Sequence, residues 1–255
     1  MSAIEFEIDG HVAVITINRP EARNAVNAEV ANGIEKAIDC FESDDSLWVA
    51  ILTGVPPVFC AGADLKVISS GRADTLLTNR GGFAGFVQRE RTKPLIAAVD
   101  GPALAGGTEI CLAADLIVAS ESATFGIPEV KRSLVAGAGG LFRLPRKVPF
   151  NIAMELALTG DPISAERAHQ FGFVNYLTEP GKALEVAKAL ARRIEANAPG
   201  AVRASRRVIL AGVTGDETTG WALTNQAFHE ALESEDNKEG LAAFIEKRKP
   251  VWTGR

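Results

Sequence analysis

Leu95-Ile96-Ala97-Ala98-Val99-Asp100-Gly101-Pro102-Ala103-Leu104-Ala105-Gly106-Gly107-Thr108-Glu109 is the stretch whose reading decides the fold. Its first five residues are an apolar run of strand length, closed by Asp-Gly-Pro, and read as a buried strand. Gly106-Gly107 then opens a helix, and Leu116-Ile117-Val118-Ala119 returns as another strand. Strand, helix and strand in that order predict a parallel crossover. Upstream, Trp48 to Thr53 is a further short buried strand. Ile4, Phe6 and Ile8 alternate with charged residues, Asp9-Gly10 supplies a hairpin turn, and Val12 to Ile17 is the returning strand. Asn18-Arg19-Pro20 ends it. Asn27 then caps a helix to about Phe41, with Val30, Ile34, Ala37, Ile38 and Phe41 on one face. Residues 69–92, with Gly71, Gly81, Gly82 and Gly85, read as irregular or loosely helical, a mobile lid or a pocket wall.

After about Val148 the pattern becomes helical. Ile152 to Leu158, Ser164 to Phe171, Lys182 to Asn197, Ala201 to Leu210, Glu217 to Leu232 and Asp236 to Lys249 all carry helical periodicity. Asp161-Pro162-Ile163-Ser164 reads as a turn and a helix cap, and Ala198-Pro199-Gly200 as a linker. The expectation is an α/β core over 1–200 and a helical carboxyl-terminal region over 201–255.

With 255 residues, 47% hydrophobic and 23% charged, the chain has an ordinary globular balance and ample material for a core. A net charge of −5 without a basic run argues against binding nucleic acid through overall charge. Arg192-Arg193 and Arg203-Arg206-Arg207 are the only basic clusters and read as solvated helix faces. Cys40, Cys60 and Cys111 are widely spaced and odd in number, which disfavours a disulfide framework or a zinc site and suits a reducing compartment. The amino terminus lacks the apolar run of a signal peptide, and Asp100, Glu109 and Asp115 interrupt the longest apolar stretch. A cytoplasmic protein without a membrane span is expected.

The chemistry-bearing residues cluster around glycine turns. Phe59-Cys60-Ala61-Gly62-Ala63-Asp64-Leu65-Lys66 makes one turn into a helix and Ala105-Gly106-Gly107 another. Two such turns can each aim a backbone N–H at one oxygen. Glu109 follows the second turn, and Glu129 closes Phe125-Gly126-Ile127-Pro128-Glu129, ahead of a glycine cluster at Gly137, Gly139 and Gly140. Taken alone, each glutamate is what a helix amino terminus favours. As a pair beside two amide donors, they are the parts needed to stabilise an enolate while water adds to a neighbouring double bond. The spacing G-x-G-x-x-G is absent, so the glycines are not a dinucleotide fingerprint.

Asn18-Arg19-Pro20-Glu21-Ala22-Arg23-Asn24-Ala25, Phe59 to Lys66, Lys93 to Val99 leading into Gly106-Gly107-Thr108-Glu109, Ala114 to Ala119, Phe125 to Glu129, Leu158-Thr159-Gly160 and Ala165 to Val174 follow one another in an order that resembles the crotonase, or enoyl-CoA hydratase/isomerase, superfamily. The resemblance runs from Val12 to about Pro250. It implies a spiral of ββα units with a helical carboxyl-terminal trimerisation region, an acyl-CoA substrate, no metal, and no cofactor beyond the coenzyme A of that substrate. It implies an oxyanion hole from the N–H groups of Ala63 and Gly106, and catalytic water held by Glu109 and Glu129. It places Ala22 and Arg23 near the adenine and phosphates, and Ala61, Ala63, Asp64, Leu65 and Gly106 along the rest of the coenzyme; Arg23 reads equally as a solvated loop charge.

The implied reaction is reversible syn hydration of a 2-trans-enoyl-CoA to a 3-hydroxyacyl-CoA by a homotrimer or a hexamer of two trimers. Ser133, Ala136 and Phe142 depart from the common family pattern beside Glu129, and this segment with Gly81 to Gly85 also resembles carnitine-type dehydratases. Crotonobetainyl-type hydration, isomerisation, thioester hydrolysis and acyl-CoA binding without turnover are the competing readings. His11, His169 and His229 fall outside every motif and read as packing or surface residues.

Overall fold

The amino-terminal hairpin forms as its alternation predicts. Ile4–Asp9 pairs antiparallel with Val12–Ile17, in the register Asp9↔Val12 to Ile4↔Ile17. The computed structural model describes residues 2–255. Parallel strands are then added in chain order. Val49–Gly54 joins Val12–Ile17, Leu95–Val99 joins Val49–Gly54, Leu116–Ser120 follows, and Tyr176–Thr178 closes a six-stranded sheet. Both faces of this sheet are covered, which is why Val49–Gly54 is buried along its whole length. Ala50 and Leu52 join the larger core with Ile34, Phe41, Phe59, Phe86 and Phe125. Val49 and Ile51 face the other way, toward Ala187, Leu190 and Ala191 on the helix Ala183–Glu195.

Three consecutive parallel-sheet strands are each followed by a short extended segment and then a helix. After Val12–Ile17 comes Val26, bridged to Ala63, and the helix Ala28–Ser43. Val49–Gly54 leads to Cys60, bridged to Ala103, and the short helix Leu65–Ser69. After Leu95–Val99 comes Ala103–Leu104, paired with Thr124–Gly126, and then the helix Gly106–Ala113. Ile163–Ser164 completes this second, three-stranded sheet. The repeat stacks the amino ends of successive helices along one edge of the short sheet, and that is what brings distant turns together.

Asn27 caps its helix as expected, its Oδ1 accepting from the Val30 N–H at 2.9 Å, and Ser164 caps Ala165–Gln170. One expectation narrows and another changes. Of the two readings of residues 69–92, the wall fits 81–87: a short helical turn and the hairpin Leu77–Thr78/Gly82–Phe83 lead into Phe83, Ala84, Phe86 and Val87, all buried, while 69–74 are exposed. Ala198-Pro199-Gly200 is no linker. Pro199 begins the helix Pro199–Gly212, where its missing N–H costs nothing, so this helix starts ahead of the division expected after residue 200. The second-sheet strands and Tyr176–Thr178, at two or three residues, are too short to show a period of two.

The helix Pro199–Gly212 is tied to the core through Asp115. Its carboxylate accepts from Arg91 Nη1 at 3.0 Å, Arg206 Nε at 2.9 Å and the Leu95 N–H at 2.8 Å. Burial alone would raise its pKa, but the two guanidinium groups outweigh that and hold it below the usual value. The Arg91 side chain is only 3% exposed, so Asp115→Asn leaves it a buried cation without its counter-charge. We expect this variant to lose about 3–5 kcal/mol in denaturant unfolding at fixed protein concentration; a loss under about 1 kcal/mol would show that the cluster contributes little.

Candidate active site

The site starts from two turns that touch. Gly62 has φ +88°, and a Cβ there would lie 2.9 Å from the Gly106 nitrogen and 2.9 Å from the Ala105 Cβ, so only glycine lets the turns close. In the parallel bridge between Val26 and Ala63, Val26 N–H bonds Gly62 O and Asp64 N–H bonds Val26 O. Ala63 therefore points its own N–H to the opposite side of the bridge from Val26. Ala105, with φ 52° and ψ −125°, occupies a backbone region that non-glycine residues rarely adopt. That flip precedes the first helical residue, Gly106, whose N–H has no acceptor within its helix. A Cβ on Gly106 would meet the Phe83 ring at 2.4 Å, which keeps this approach to the backbone narrow.

Thr108 locks this turn to the strand that leads to Glu129. Its hydroxyl lies 2.6 Å from Ala103 O and 2.9 Å from Gly126 O and accepts from the Gly126 N–H, while Ala105 N–H donates to Gly126 O. Glu109 lies three residues after Gly106, on the same side of the helix. It is 2% exposed, and its Oε1 accepts from the N–H groups of Ala138 at 2.7 Å and Gly140 at 2.8 Å. Burial raises its pKa, with the two amides and the Arg143 charge pulling it back.

Glu129 sits in the turn Pro128–Arg132, and its Oε2 is buried without a hydrogen-bond partner among the described residues. Burial raises its pKa and the Glu109 charge raises it further, against the pull of its own backbone N–H and Arg132. The two carboxyls are thus electrostatic neighbours in unlike settings. One is held by donors and the other is left open.

The residues expected around coenzyme A also gather here. Ala61 N–H donates to Arg23 O at 3.1 Å, which joins the Ala22-Arg23 loop to the Ala61–Leu65 turn. Arg23 and Leu65 are exposed, whereas Ala22, Ala61 and Ala63 are half-buried. The Asp64 carboxylate has structural partners: it caps its own helix at the Lys66 N–H and pairs with Arg19 at 3.2 Å. Asn24, fully buried, anchors the loop through Arg19 N–H, Val55 O and Val58 O. Sequence reasoning assigned nothing to Asn24 or Thr108, because their partners lie far along the chain. The glycines at 137, 139 and 140 were the available signal for the amides that grip Glu109.

Other candidates stay outside the site. His11 stacks on Trp48 with ring centroids 3.7 Å apart, and His169 Nδ1 lies 2.8 Å from Val174 O. Cys60 and Cys111 are buried fillers, the Cys60 thiol pushed up to about 12 by burial. Arg192 pairs with Asp9 and Glu195, Arg206 with Asp115 and Arg207 with Glu230, so these charges are spent inside the protein. Among the described residues no group of three His, Cys, Asp or Glu side chains is placed to hold a metal ion, and no helix is long and apolar enough to cross a membrane.

Comparison with known proteins identifies the family and the fold. Residues 7–255 match the family model described as enoyl-CoA hydratase/isomerase. A crystal structure of enoyl-CoA hydratase from Mycobacterium tuberculosis H37Rv superimposes with a TM-score of 0.96 at 51% identity, covering 100% of both chains. Short-chain-enoyl-CoA hydratase of Clostridium acetobutylicum is 39% identical over 98% of this chain and 97% of its own. Carnitinyl-CoA dehydratase of Salmonella typhi is 39% identical over 97% of each. The fold is the crotonase-like one that the motif order implied, and the chain belongs to the enoyl-CoA hydratase/isomerase family.

Proposed function

We propose that this protein is an enoyl-CoA hydratase that adds water reversibly, with syn geometry, to a 2-trans-enoyl-CoA. The observation that carries the reading is the buried, unpartnered Oε2 of Glu129 beside a Glu109 carboxylate already gripped by two amides. An unpaired buried oxygen costs about 1–3 kcal/mol unless something meets it. A water and the reacting carbons of a thioester would meet it.

In this reading the N–H groups of Ala63 and Gly106 receive the thioester oxygen. Glu109, whose ionised form its two amide donors favour against the effect of burial, takes a proton from water as the new oxygen bond forms at Cβ. The electron pair of the double bond moves onto the thioester oxygen as an enolate. That pair then returns to Cα, which takes the proton of Glu129, and the two carboxyls re-equilibrate their proton through the next water. Removing one oxyanion donor from such a site costs about 10²–10³-fold. No metal or separate cofactor enters. Ala22 and Arg23 border the adenine and phosphates, while Ala61, Ala63, Asp64 and Leu65 follow the rest of the coenzyme; the side chain of Asp64 shapes that wall from behind.

Similarity to carnitinyl-CoA dehydratase, equal in identity to that of the short-chain hydratase, supports a second reading in which the acyl group carries a polar substituent. Both readings use the same atoms. A panel of enoyl-CoA thioesters differing in chain length and substituent, followed by loss of the conjugated-thioester absorbance, separates them; no loss with any member would contradict hydration.

The exposed Trp221, Phe228, Phe244 and Ile245 lie on helices of the terminal region, and Glu217–Glu233 buries no residue of its own. Apolar surface on that scale supports self-association, and the family resemblance makes the proposed assembly a homotrimer, or two stacked trimers, with Phe244 and Lys247 approaching the adenine end of coenzyme A on a neighbouring subunit. We place the protein in the cytoplasm. Light scattering across micromolar concentrations is expected to give a trimer or hexamer mass; a stable, fully active monomer would contradict the shared site.

Glu109→Gln and Glu129→Gln are each expected to lower turnover by about 10²–10⁴-fold while acyl-CoA binding is largely kept. Near-normal hydration by either would contradict the two-carboxylate assignment. The pH profile follows from the two raised pKa values. Activity falls below the pair's lower apparent pKa as the Glu109 base is protonated, and above its upper one as the Glu129 acid is ionised, so both limbs lie above the ordinary carboxylate value of about 4.3. Full activity at pH 4 would contradict this.

A further inference from the structure

The loop that grips Glu109 has no helix or strand of its own: residues 134–139 are irregular between the turn Pro128–Arg132 and the helix Gly140–Arg143. Something must hold its peptides so that the Ala138 and Gly140 N–H groups converge on one carboxylate oxygen. Arg143 holds the part of the loop between the two donors. Its backbone N–H donates to Gly139 O at 3.1 Å, on the same peptide as the Gly140 N–H, and its Nη1 donates to Ala138 O at 3.2 Å, on the peptide that follows Ala138.

Its Nη2 donates to Val87 O at 2.6 Å, on the buried segment whose Phe83 ring closes over Gly106. The guanidinium also lies 5.1 Å from the centre of the Phe142 ring, a stacking contact that favours one orientation of the fork. We propose that Arg143 is the positioning residue for Glu109: its fork ties the Ala138–Gly139 peptide, which lies between the two gripping amides, to the Phe83–Val87 wall and so fixes where the Glu109 carboxylate points relative to the Gly106 donor. This rests on the hydratase reading only for its effect on turnover.

The role is electrostatic as well as mechanical. The groups acting on Glu109 are the two loop amides and the Arg143 cation from the helix Gly140–Arg143; across the site, Glu109 and Arg132 act in opposite senses on the Glu129 carboxyl. Arg146 and Arg91 act on Arg143 itself. Arg143 lowers the pKa of Glu109 and thereby favours the ionised base. A lysine keeps the charge but cannot span two carbonyls, whereas a methionine keeps bulk and loses both.

The test combines a titration with kinetics on the whole protein. With 13Cδ-labelled glutamate, and the Glu109 resonance assigned by its absence in Glu109→Gln, Arg143→Met is expected to raise the Glu109 titration midpoint. Its kcat for enoyl-CoA hydration is expected to fall about 10- to 100-fold with KM within about threefold, the signature of a misplaced catalytic group. Arg143→Lys is expected to leave the midpoint near wild type with kcat still about tenfold down. An unmoved Glu109 midpoint in Arg143→Met, or full kcat in Arg143→Lys, would overturn the proposal. If Arg143→Met does not fold, the kcat and KM of Arg143→Lys decide. If the wild-type protein hydrates no thioester, the hydratase reading fails, and the Glu109 titration still decides the role of Arg143.

Discussion

The approach of Gly62 to Gly106 is the constraint on which the rest of this structure depends. Two turns far apart in the chain close on each other here, and a single Cβ on Gly62 would hold them apart; the proposed pair of amide donors depends on that closure. The repeated strand, short strand and helix meets this demand by geometry. Each unit sets its helix amino end beside the preceding one, so Val26 bridges Ala63, Cys60 bridges Ala103 and Leu104 pairs with Gly126. The strained backbone of Ala105 is tolerated because neighbours over-determine it, through its N–H to Gly126 O and the Thr108 hydroxyl below.

The same frame separates two glutamates that are alike as chemical groups. Glu109 is delivered by a helix and met by loop amides, whereas Glu129 follows a strand and Pro128 and leaves one oxygen unmet. Both are pushed up by burial, but Glu109 is held by two loop amides whereas Glu129 has only its own backbone N–H as a donor and the Glu109 charge against it. Difference of environment, and not of residue type, can therefore separate an acid from a base.

Much of this was legible in the sequence wherever the signal is local. The hairpin at Asp9-Gly10, the Asn27 cap, the Leu95–Val99 strand and the glycine turns all declare themselves within a few residues. The two glutamates stood out because of those turns. What stayed hidden depends on contacts between distant segments. Asn24 bonds carbonyls at Val55 and Val58, Thr108 reaches Gly126, and Arg143 reaches Val87. No short window contains both partners. Residues 69–92 left lid and wall both open for a related reason: their glycines suggest looseness, while Phe83, Phe86 and Val87 find a core that only the folded chain supplies.

The central claim is that one thioester oxygen is shared by the Ala63 and Gly106 N–H groups, with the reacting carbons between Glu109 and Glu129. A crystal structure of the protein with a bound 3-hydroxyacyl-CoA tests it most directly. The account predicts the thioester oxygen at about 3 Å from both amide nitrogens, with the 3-hydroxyl within hydrogen-bond distance of Glu109. A thioester oxygen bonded to neither amide, or an acyl group lying away from both glutamates, would contradict it.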